Sequence, residues 1–110
     1  MSKLPDPQYV RPEATDPAEI HFRKAWQLRK DKQFEKAVDE FRESLKHQPD
    51  KAATHFNLAL VLDILGKGEE AFSHATTAVA LFEEGGGPSK TATALKLAGK
   101  IKEKYDLPTD

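Results

Sequence analysis

The sequence contains no cysteine, which excludes disulfides and thiolate chemistry and fits a reducing compartment. It lacks a dominant charge. Seventeen basic residues stand against 18 acidic ones, so no whole-chain attraction to nucleic acid follows. No apolar run is long enough to span a bilayer, and the opening MSKLPDPQYV has no apolar centre of the kind a signal peptide carries. These absences predict a cytoplasmic protein whose partners include neither nucleic acid nor a membrane. Chemistry is scarce as well. None of the histidines (His21, His47, His55, His74) stands in an HExxH pattern, and no serine sits in a nucleophile elbow. The sequence therefore predicts no catalytic residues, no metal and no cofactor, and the protein does not read as an enzyme.

One stretch imitates a nucleotide-binding loop. EEGGGPSKTATAL, residues 83–95, places glycines ahead of Lys90 and Thr91. A P-loop requires glycines at the positions held here by Glu84 and Ser89, and it follows a strand, whereas a helix precedes this segment. The stretch reads instead as a flexible, helix-capping joint.

What the sequence does have is helical periodicity. At 110 residues with 38% hydrophobic and 32% charged content, it suits one small globular domain. Pro5, Pro7 and Pro12 mark residues 1–15 as an extended Pro-rich arm. Asp16 and Pro17 then signal a helix start, with Glu19 completing an acidic capping box, and the helix is expected to run to about Lys30. Apolar residues recur at steps of three and four in Phe34–Leu45, Phe56–Leu65, Ala71–Phe82 and Ala94–Ile101. Asp50 is the expected cap of the third helix and Gly66 its stop. No window alternates as a strand does. The class is all-α: about five antiparallel helices in hairpins with short turns.

Sliding the sequence by 34 residues lays AEIHFRKAWQL on AATHFNLALVL, so that Ala18, His21, Phe22, Ala25 and Leu28 match Ala52, His55, Phe56, Ala59 and Leu62. A two-helix unit of this period resembles the tetratricopeptide repeat (TPR) family. Small Ala25 and Ala59 stand where that family brings paired helices close, and Phe34, Ala37, Phe41 and Pro49 fit its second helix and ending. The sequence departs from the pattern at His21 and His55, at Gly68, which replaces the aromatic that Phe34 supplies in the first repeat, and at Glu83 in place of a closing proline. NLALVL at 57–62 compares with KLAGKI at 96–101 at an offset of 39, so five extra residues fall in the glycine segment. The resemblance implies a TPR-like helix-hairpin solenoid over 16–106. Its repeats are about 18–49 and 52–84, its capping helix is about 89–105, and 107–110 form a tail.

In TPR proteins the first helix of each pair lines a concave groove that holds a peptide or helix of another protein. Carried over by position, the resemblance implies groove residues Glu19, Phe22, Trp26, Arg29, Ala53, Phe56, Leu60, Asp63, Leu95, Gly99 and Lys102, with Asn57 and Lys96 as polar contacts. Phe22, Trp26, Phe56 and Leu60 would form an apolar patch of the hot-spot kind. The competing reading places Phe22 and Trp26 in the core or beneath the N-terminal arm, whose Tyr9 and Val10 could occupy the groove. One TPR subclass clamps the carboxylate of chaperone tails. Asn57 and Lys96 match that clamp, but Phe22, Trp26 and Ala92 stand in place of its other polar residues, so chaperone-tail binding is not expected. Lys96, Lys100 and Lys104 form one stripe, read as a solvated edge or a surface for an acidic partner. The function implied is a protein–protein adaptor. The alternative is a structural protein that forms a homo-oligomer or docks onto an assembly surface such as a filament.

Overall fold

The computed structural model describes residues 16–108. The predicted arm and the last two residues of the tail lie outside them. Five α-helices follow one another: α1 (Pro17–Lys30), α2 (Phe34–His47), α3 (Ala52–Ile64), α4 (Gly68–Glu84) and α5 (Pro88–Lys104). There is no strand among the described residues, and no helix there is long and apolar enough to cross a membrane. Each helix packs on its neighbour in sequence, and α1 also touches α3. This is the expected arrangement of helix hairpins.

The helix starts bear out one capping expectation and correct two. Asp16 caps α1, its side chain accepting from the Ala18 amide at 3.1 Å, with Pro17 in the first turn. Glu19 does not close a capping box. Its carboxylate receives Lys51 at 3.0 Å and Arg23 at 3.1 Å instead. Asp50 does not cap α3. The cap residue is Lys51, which makes no side-chain capping bond.

Four of the five helix ends share one design. After α1, α3, α4 and α5 a residue adopts positive φ: Lys32, Gly66, Gly86 and Asp106. In each case the next amide reaches back to a carbonyl five residues earlier, as in Gln33 to Leu28, Lys67 to Leu62, Gly87 to Phe82 and Leu107 to Lys102. This is the Schellman closure, which satisfies carbonyls that the helix leaves unpaired.

The glycine segment is therefore not a loose joint. Gly85–Gly87 form a turn as tight as 31–33 and 65–67, one residue shorter than the link 48–51, so all five extra residues and one more have become helix. α4 has 17 residues against 14 in α2. α5 begins at Pro88, almost a turn ahead of Thr91, the counterpart of Ala52. Helical residues satisfy their own backbone groups, so an insertion absorbed this way leaves no polar main chain stranded.

The core runs along the stack through Ala25, Ala37, Val38, Phe41, Leu58, Ala59, Val61, Leu62, Ala71, Ala75, Ala98 and Ile101. Alanines dominate where helices cross because a small side chain lets two backbones approach. Ser44 is fully buried among α1, α2 and α3. Its hydroxyl donates to the Ala18 carbonyl at 2.8 Å and lies 3.3 Å from the Thr54 hydroxyl, so the polar group is satisfied at the junction it helps to fix.

The histidines follow the repeat. His21 Nδ1 meets Glu40 at 2.7 Å across the first hairpin. Thirty-four residues on, His55 Nδ1 meets His74 Nδ1 at 2.9 Å across the second, while His55 Nε2 donates to the Pro49 carbonyl at 2.8 Å. At both positions the histidine thus makes a hydrogen bond between the two helices of one hairpin.

Candidate functional site

The surface carried by α1, α3 and the start of α5 is divided into two shallow apolar cavities. One, about 290 Å³, is lined by Ala53, Phe56, Asn57, Phe82, Ser89, Lys90 and Thr93. The other, also about 290 Å³, is lined by Trp26, Arg29, Lys30, Lys32, Phe34 and Ile64. Between them Arg29 donates to the Asn57 side-chain oxygen at 3.0 Å, and the Asn57 amide donates to the Ala53 carbonyl at 2.8 Å. Arg29 and Asn57 thus form a polar bridge joining the two apolar cavities.

Trp26 is 42% exposed. The Arg29 guanidinium lies 5.8 Å and the Lys30 ammonium 5.4 Å from its ring centroid, within cation–π range. Ile64, 55% exposed, supplies the facing apolar group from α3. Phe22 stands apart from Trp26. It packs edge-on against Phe41 with centroids 5.8 Å apart, and Lys51 lies 5.1 Å from its centroid. Phe22 therefore belongs partly to the core. Beside it, burial would raise the Glu19 carboxyl, but hydrogen bonds from Lys51 and Arg23 outweigh that and hold it below the usual range.

The remaining groove positions have separate settings. Leu60 is half-buried on α3. Asp63 is engaged by the far end of α5: Lys104 donates to its carboxylate at 2.9 Å, and the Tyr105 hydroxyl lies 2.9 Å from both its carboxylate and its carbonyl. Leu95, 55% exposed, faces a different cavity bounded by Glu83, Gly86, Gly87, Pro88, Thr91 and Ala92. Lys96 is exposed and lines none of these cavities. The structure thus groups Trp26 with Arg29 and Phe56 with Asn57, and leaves Leu95 and Lys96 elsewhere.

Sequence reasoning missed Phe82, Ser89, Lys90, Thr93 and Ile64. Phe82 lies in the lengthened end of α4, and Ser89 and Lys90 in the early start of α5, so the five-residue insertion builds part of one wall of the Phe56 cavity. Its signal was the 39-residue offset, which reads as loop until both helices are seen to grow. Ile64 lies off the apolar stripe of α3, and an apolar residue off the stripe was the available cue.

Residues 18–51 match the tetratricopeptide repeat family. No curated protein matches the chain.

Proposed function

We propose that this chain, a tetratricopeptide-repeat domain and so a protein–protein interaction module in kind, binds an extended or helical segment of a partner protein across the Trp26 and Phe56 cavities. The observation that carries this reading is the exposed pair Trp26 and Ile64 beside Arg29, Lys30 and Lys32, with Lys90 at the second cavity. Apolar walls supply affinity, about 1.5–3 kcal/mol for each side chain fully buried on binding. The cations select a segment that carries acidic residues near its apolar anchors. The half-buried Phe22 contributes by packing against Phe41 beneath α1, and Asp63 by tying α3 to the end of α5. The reading is of a binding module, not an enzyme, with cytoplasmic location as its expected setting.

The test uses the single tryptophan as its own reporter. Peptides selected from a random display library against the full chain are titrated while Trp26 emission is followed. Binding should shift the emission. Lys90→Glu should weaken affinity about tenfold or more, and Trp26→Ala, read by calorimetry, should do the same. Peptides that bind both variants as tightly as the parent chain would refute the reading.

A further inference from the structure

The geometry points to a divalent transition-metal site at the seam of α1 and α2, formed by His21, Glu43 and His47. One ligand atom from each residue lies within 4.8 Å of the other two. None of the three lines the cavities described above. The sequence predicts no metal because the ligands follow no familiar spacing: two come from α2 and the third is brought in by the first hairpin.

Three features fit these residues to a metal. Glu43 and His47 are four apart on α2, so both project from one face of the helix. The His21 and His47 rings lie nearly parallel, 7° apart with centroids separated by 5.6 Å. Most specifically, His21 already has an orienting partner. Its Nδ1 donates to the Glu40 carboxylate at 2.7 Å, which leaves the Nε2 lone pair available. Metal-ligating histidines usually have such a carboxylate behind them, because it fixes the tautomer and strengthens the ring as a ligand. Glu40 is here a positioning residue, and Lys24 lies 3.4 Å from its other oxygen.

Two imidazoles and a carboxylate form a ligand set suited to Zn²⁺, with a fourth position left to water. Tetrahedral coordination at the usual bond lengths needs ligand atoms about 3.4 Å apart. The exposed His47 can close that gap by rotation. Glu43 now receives Lys46 at 2.8 Å. That partner sits on a solvent-exposed side chain that a dication displaces. The second repeat has no equivalent, since Thr77 and Leu81 stand at the corresponding places. The site belongs to the first hairpin alone and does not depend on peptide binding.

The test is calorimetric titration of Zn²⁺ into the full, tag-free chain in a non-chelating buffer near pH 7.5, with thermal melts alongside. One equivalent should bind saturably and raise the melting temperature. His47→Ala removes an exposed ligand without touching the core, and Glu43→Gln removes the anionic one. Each should weaken binding at least tenfold and abolish the thermal shift while leaving the metal-free melt near that of the parent chain. Non-saturable uptake would overturn the site. So would saturable binding unchanged in both variants, which would place the ion on other side chains.

Discussion

His74 sits half-buried on α4 with its Nδ1 against that of His55. Because His55 Nε2 must donate to the Pro49 carbonyl, the pair shares a single proton between the facing nitrogens, and protonating both rings would set two N–H groups against each other. Burial, with His55 and Arg42 adding to it and Glu70 opposing, lowers the His74 pKa from its ordinary 6.5. A base whose pKa is lower folded than unfolded binds more protons when unfolded, so its contribution to stability is complete above pH 6.5 and declines as pH falls below that value. Unfolding free energies from urea titrations should drop from pH 7 to pH 5. His74→Asn, whose amide can still donate to His55, should flatten that slope; an equally steep slope in the variant would show that other groups carry it.

Among the elements, the α4 start shows what one glycine does. Gly68 is the counterpart of Phe34, and the place its side chain would occupy is filled by the Tyr105 ring from the end of α5. A Cβ at Gly68 would overlap that ring. The hydroxyl of the same tyrosine is tied to Asp63 on α3, so one side chain joins the last helix to the second hairpin. Gly68→Ala should destabilise by about 1–3 kcal/mol despite alanine's better helix propensity, because the overlap exceeds the propensity gain. In denaturant melts of a double-mutant cycle, Tyr105→Ala should remove most of the Gly68→Ala penalty; simple additivity would rule out the contact as its cause.

This joint also shows what was legible in the sequence and what was not. Helix extents, the repeat register and the Asp16 cap follow from local signals, namely three-and-four spacing, Pro17 and Gly66. The Gly68 substitution was visible as a departure from the repeat, but its complement is 37 positions away at Tyr105, and only tertiary packing pairs them. The same limit applies to the site. The resemblance put Phe22 and Trp26 together in one groove, but it could not tell that Phe41 claims the first ring while the second remains open.

Taken as a whole molecule, the stack has two unequal ends. Ile20, 44% exposed, faces away from the core on the first helix, and Leu95 is exposed on the last. In a solenoid each unit covers its neighbour, so apolar groups at both ends make head-to-tail stacking the specific form that self-association would take. If that contact operates, light scattering should show mass rising with concentration, and Leu95→Lys should hold the chain at monomer mass. A constant monomer mass up to high concentration would leave docking to a different protein as the use of these ends.

The brevity of the turns has a kinetic consequence. Between Asp16 and Pro108 the longest irregular link is residues 48–51, and the others are closed by paired backbone amides. A protease needs several residues of extended, unpaired chain in its cleft, and nothing inside this span offers them while the helices remain docked. Internal cleavage must then wait for the structure to open, so its rate should follow unfolding stability from variant to variant. Gly68→Ala should be cut faster by thermolysin in proportion to its loss in the denaturant melts. Cuts within this span at a rate unaffected by that substitution would reveal a local opening that the paired turns do not suggest.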